Sequence, residues 1–150
     1  MALRTLTVQD VLWINLQITR RVNHYSNPRL EEATYYQFGY GDSNGIEAQA
    51  ARLLSGFVRM KPFDAGNEAT ALATALAFLE LNERRLDLDD AALAERVRSA
   101  VGSSAGAREL ICDHLVHSHA HGEGPAVRAV ITDVLQRYSR TISALEPATV

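Results

Sequence analysis

An all-α fold of about six or seven helices is what this sequence predicts, and three observations predict it. Apolar residues recur three and four positions apart through most of the chain, the spacing of one helix face. No stretch shows the period-two alternation of a half-buried strand. One segment, about 67–82, is alanine- and leucine-rich nearly all round, which belongs at the centre of a bundle. The chain has 150 residues, so one domain over 1–150 is expected. Its 47% hydrophobic and 22% charged residues suffice for a sizeable core.

Thr7 followed by Asp10 has the form of a capping box at a helix start. Val8, Val11, Ile14, Ile18 and Val22 then form one stripe. Asn27-Pro28 marks a break, and 29–38 predicts a short helix. GYGDSNG (39–45) reads as a flexible loop preceded by Tyr35, Tyr36, Phe38 and Tyr40. Those aromatics either pack under the loop or form a flap or peptide-binding edge. A helix follows over 46–60, with Ile46, Ala50, Leu53, Leu54, Phe57 and Val58 inward. Pro62 prevents its simple continuation, because the residue before proline is pushed out of the α region.

The central helix has few polar positions: Glu68, Thr70, Thr74 and Glu80. Asn82 is expected to end it. Asp89 or Asp90 starts a helix to about 100, with Leu93 and Val97 inward. After the small-residue turn Gly102–Gly106 a helix is predicted over 105–119. Pro125, suited to a first helical position, opens a last helix over 125–145, and the PATV tail frays. That long helix also offers a homodimer face.

The formal net charge of −3 gives no bulk attraction to nucleic acid or acidic membranes. No window approaches the ~20 apolar residues of a membrane span. The start, MALRTLTVQD, lacks a signal-peptide core. One cysteine, Cys112, excludes an intramolecular disulfide and fits a reducing cytoplasm; within LIC it reads as an inert core residue.

KPFDAGNEAT (61–70) is a helix–turn–helix junction. Asn67 is a natural N-cap, accepting from the amide of Ala69 or Thr70. Gly66 permits the tight approach before it, and Phe63 is expected to be buried. Free amides at the following helix N-terminus favour an anion.

This turn resembles the active loop of the Fic/Doc family: His-Pro-Phe, a variable residue, Asp or Glu, Gly-Asn, Gly or Lys, Arg. TLTVQDVLWINLQI, ARLLSGFVRMKPF, ALATALAFLELN and LDLDDAALAERV resemble the death-on-curing branch in the same order. The likeness is clearest over 5–100, with the helices of 105–145 expected to pack on that part. It implies an all-α bundle that transfers a phosphate-containing group from a nucleotide to a protein hydroxyl. In the death-on-curing branch it implies the toxin of a toxin–antitoxin pair, whose antitoxin lays a helix into a groove near the active site.

Four positions keep the family's shape residues: Pro62, Phe63, Gly66 and Asn67. Four lack its chemistry. Lys61 stands at the histidine position, and an ammonium cannot take a hydroxyl proton as a neutral imidazole does. Ala65 replaces the acidic Mg²⁺ ligand, with Asp64 one residue early. Glu68 reverses the charge of the phosphate-binding position, and Ala69 replaces the arginine. The resemblance therefore argues against Mg²⁺ and ATP as cofactors. A carboxylate at a helix N-terminus is favourable by roughly 0.3–1 kcal/mol. Lys61 is expected to pair with Glu68 or Asp64 across the turn, leaving the protein's own carboxylate, Glu68, in the anion site.

DHLVHSHAHGEG carries His114, His117, His119 and His121. On a helix His114 and His117 share a face, with His121 four residues on, a spacing that can bind Zn²⁺ or Ni²⁺ with Asp113 as an oxygen ligand. The alternative is a solvated helix end. Ser118 to Glu123-Gly124 is one residue too long for the family's inhibitory motif. Three readings follow: a degenerate relative acting by binding an antitoxin-like partner, an active transferase with a rearranged site, or a metal-dependent role for 113–123.

Overall fold

The computed structural model describes residues 3–39, 45–101 and 103–145. Helix α1 (Val8–Thr19) starts on the expected capping box: the Asp10 amide donates to Thr7 Oγ1 at 3.1 Å and the Thr7 amide to Asp10 Oδ2 at 2.9 Å. It ends on Arg20 in the left-handed region, so Val22 falls outside the stripe and is 86% exposed. Helix α2 (Asn27–Tyr35) is capped by Ser26 and has Pro28 in its first turn, where a missing N–H costs nothing. Helix α3 (Ile46–Met60) has the predicted limits and buries Ala50, Leu53, Leu54 and Phe57.

Helix α4 (Asn67–Leu81) is the centre: every residue from Ala69 to Leu81 is buried. It packs against α3, α1 and later helices, and Asn82 ends it as expected. Fully burying each Leu or Phe contributes about 1.5–3 kcal/mol, so this helix anchors the core. That core is one cluster drawing side chains from all eight described helices.

Strand β1 (Arg84–Leu86) pairs antiparallel with β2 (Leu115–His117), Arg84 opposite His117 and Leu86 opposite Leu115. This ribbon corrects the expectation of a strand-free chain. It also shortens the helix predicted over 105–119: α6 (Ser104–His114) stops where Leu115 turns extended. Helix α5 (Asp90–Val101) lies between, its start capped by Asp89, which accepts from the Ala92 amide at 2.8 Å.

The predicted last helix is two, α7 (Val127–Arg137) and α8 (Ser139–Leu145), giving eight helices among the described residues. The break is fixed by partners distant in sequence. Tyr138 is 2% exposed, and its hydroxyl donates to Leu88 O at 2.9 Å. Asp90 accepts from the amides of Arg140 and Thr141, both at 2.8 Å, capping α8 from another helix. Pro125 precedes the N-cap Ala126 and is not the first helical residue. Cys112 is exposed, against the core reading. Tyr40, most of the glycine loop, Gly102 and the PATV tail lie outside the described residues. Among the described residues, no helix is long and apolar enough to cross a membrane.

Candidate functional site

The turn between α3 and α4 is built from within. Lys61 ends α3 with φ 47°, a left-handed conformation unusual for a side-chain-bearing residue, and its amide donates to Phe57 O at 3.2 Å. Lys61 is thus out of the helical region, as expected before Pro62, but as a left-handed cap of α3. Gly66, at φ 77°, is the true N-cap of α4. Asn67 is the first helical residue, which corrects its predicted capping role. Its side chain turns back instead: Oδ1 accepts from the Phe63 amide at 2.9 Å and Nδ2 donates to Phe63 O at 2.7 Å.

Behind the turn, Asn15 on α1 donates through Nδ2 to Ala65 O at 3.0 Å and Thr70 Oγ1 at 3.1 Å, and Asn23 donates to Asn15 Oδ1 at 2.9 Å. The 24–26 segment braces the same turn, with Ser26 N donating to Pro62 O at 2.9 Å and Asp64 N to His24 O at 3.0 Å. Sequence reading missed Asn15. Its signal was an amide beside Ile14 on a helix that buries that face, where a polar group requires a partner.

Lys61, Asp64, Ala65, Gly66, Asn67 and Glu68 line a cleft of about 450 Å³, with Arg98 opposite. Arg98 is engaged with Ala144 O at 2.7 Å. Formal charges within the cleft cancel: Lys61 and Arg98 against Asp64 and Glu68. Lys61 and Glu68 are exposed, and among the described residues Lys61 forms no ion pair with Glu68 or Asp64. Ala69 does not reach the cleft; it is fully buried in the core.

A second polar centre sits at the other end of α4. Glu80, with a side chain 2% exposed, accepts from Arg137 Nη2 at 2.6 and 2.7 Å and from Arg85 Nη2 at 3.2 Å. His121 Nε2 lies 2.7 Å from Glu80 Oε1 and 3.6 Å from Asp133 Oδ2. Asp133 also receives Arg137 at 2.9 Å. Burial acts to lower the pKa of Arg137, but its hydrogen bonds and charge pairing with Glu80, then Asp133, outweigh this and raise it above the usual guanidinium value. Glu80 was legible only as a lone carboxylate in an apolar helix, which requires cationic partners.

The histidines do not gather. His114 ends α6 with Nε2 3.2 Å from Arg96 Nη1, and shares a separate shallow cleft with Asp113. His117 is exposed in β2, and His119 Nδ1 lies 3.6 Å from Glu83 Oε1. His117, His119 and His121 border one cleft of about 470 Å³, yet only His121 reaches Glu80. Helical spacing could not place them, because the helix ends at His114. Nor do they meet the turn: Glu68 and Glu80 are separated along α4 by about 18 Å at the usual helical rise.

Among the described residues, the ligand atoms of Glu80, His121 and Asp133 converge within 4.8 Å, a group that could hold a metal ion. Two guanidiniums already neutralise its two carboxylates, which works against a further cation. Comparison with protein-family models, curated proteins and solved structures finds no match in any of the three.

Proposed function

We propose that this chain is a Fic/Doc-type protein of the death-on-curing kind that has lost transferase chemistry and acts by binding a partner. One observation carries the reading. The turn keeps its shape through hydrogen bonds from Asn67 to Phe63 and from Asn15 on α1 to Ala65 O, while Lys61, Ala65, Glu68 and Ala69 put no imidazole base, no acidic metal ligand and no phosphate-binding cation at the positions where the family has them. Glu68 stands at the α4 N-terminus where a nucleotide phosphate would sit.

The partner fits a toxin–antitoxin setting: an acidic, amphipathic peptide. Leu12, Trp13, Leu16, Val22, Tyr25 and Phe63 line a mostly apolar groove of about 340 Å³ beside the turn, with Arg21 and Arg128 at its border. Transfer of label from ATP or GTP to protein, and calorimetry with Mg²⁺ and ATP, test the loss of chemistry. Neither transfer nor binding is expected. Micromolar nucleotide binding or label transfer would overturn the reading in favour of an active transferase with a rearranged site. A metal-dependent role for the His-rich segment finds less support: of its histidines only His121 converges with Glu80 and Asp133, and Arg85 and Arg137 already neutralise those carboxylates.

A further inference from the structure

We propose that Arg137 is the built-in cation of a metal-type site, and that Glu80, His121 and Asp133 bind a borderline divalent ion, Zn²⁺ or Ni²⁺, once that guanidinium is removed. The three donors come from three separate segments: α4, the connection after β2, and α7. One imidazole nitrogen and two carboxylates form a donor set suited to such ions. Zinc ligands lie about 2.0–2.2 Å from the ion, so two of them stand at most about 4.4 Å apart. His121 is 2.7 Å from Glu80 and 3.6 Å from Asp133, and all three donors fall within 4.8 Å. Donors around a tetrahedral zinc stand about 3.4 Å apart, so side-chain movements of up to about 1 Å complete the set.

Arg137 Nη2 holds the position a metal would take. It contacts both Glu80 oxygens at 2.6 and 2.7 Å and Asp133 Oδ2 at 2.9 Å. With Arg85 also present, a divalent ion would leave this half-buried centre two charges in excess. Truncating Arg137 reverses the balance, leaving two carboxylates against Arg85 alone. The fit of the arginines is also incomplete, since Arg137 Nη1 and Arg85 Nε are buried without a partner. The adjoining cleft, bordered by Glu80 and His121, gives an ion its route in.

Tag-free wild type, Arg137→Ala, Arg137→Lys and Arg137→Ala/His121→Ala are titrated with ZnCl₂ by calorimetry and melted with and without zinc. R137A is expected to bind one zinc per chain at least tenfold more tightly than wild type, and zinc is expected to raise its Tm. The wild-type Tm stays unmoved, R137K keeps zinc out, and the double variant loses binding. Equal zinc affinity in wild type and R137A overturns the proposal, as does a folded R137A that binds none or a double variant that binds unchanged. If R137A does not fold alone, R137M, which keeps a long apolar side chain beside the Tyr138 ring that the Arg137 guanidinium covers at 5.0 Å, replaces it. If that too fails, refolding R137A with zinc decides: recovery supports the site and no recovery overturns it.

Discussion

Asn67 holds both main-chain polar groups of Phe63, accepting its N–H at 2.9 Å and donating to its carbonyl at 2.7 Å. This closed ring of hydrogen bonds fixes the distance between the end of α3 and the start of α4. Asn67→Ala leaves both groups of a 5% exposed residue without these partners. The expected cost is about 1–3 kcal/mol. Asn67→Asp keeps the acceptor but sets a carboxylate oxygen against the Phe63 carbonyl, so it is expected to recover little. Urea midpoints at constant m-value measure both. A midpoint for N67A equal to wild type would sink this account of the turn.

Gly56 faces the Tyr36 ring across the contact between α2 and α3. A Cβ at Gly56 would lie 2.7 Å from Tyr36 Cε2 and 2.9 Å from Cγ, closer than side chains tolerate. Gly56→Ala gains about 1 kcal/mol of helix propensity but meets an overpacking penalty of about 1–3 kcal/mol. A net loss near 1 kcal/mol is expected. In a Tyr36→Ala background the clash vanishes and the same substitution should become stabilising. A double-mutant cycle with additive effects would rule the contact out.

Much of this fold was legible because its signals are local. Thr7 and Asp10 make their box within one turn, α3 has an apolar face of regular spacing, and α4 carries almost no polar residue to place outside. What escaped depends on partners distant in sequence. The α7–α8 break rests on Asp90, some fifty residues upstream, and the ribbon on pairing three residues after α4 with three after α6. Asn67 has the composition of a cap, yet Gly66 takes the cap because its left-handed backbone frees the asparagine for Phe63. The residue types at the turn were readable one by one. The centre at Glu80 was not, since Arg85, His121, Asp133 and Arg137 converge only in three dimensions.

Removing Glu80 should cost more than removing any surface charge. Glu80→Ala leaves Arg85 and Arg137 facing each other with only the half-exposed Asp133 between them. Breaking a buried pair this way costs about 3–5 kcal/mol. Replacing Glu80 and Arg137 together by Met removes a carboxylate and a guanidinium at once, and should cost much less than E80A. Chemical denaturation of the two variants checks this ordering; a double variant as unstable as E80A would contradict it.

Asp90 gives the fold a dependence on acid. Burial acts to raise its pKa, but hydrogen bonds from the Thr141 hydroxyl, the Thr141 amide and the Arg140 amide, with the Arg140 charge, hold it below the ordinary carboxylate value. The ionised form is therefore favoured by folding. Its stabilisation is fully present above the unfolded-state value, about 3.9, and disappears as pH falls through the lower folded-state value. Asp90→Asn cannot ionise, so it should be less stable than wild type by a constant margin between pH 6 and 8, on the order of 1–3 kcal/mol for the lost charged acceptor. Below about pH 4 that margin should narrow as wild-type Asp90 protonates. Thermal melts of both proteins from pH 7 to pH 2.5 measure it. A margin that stayed constant or widened in acid would show that Asp90 does not hold α8 to α5 as an anion.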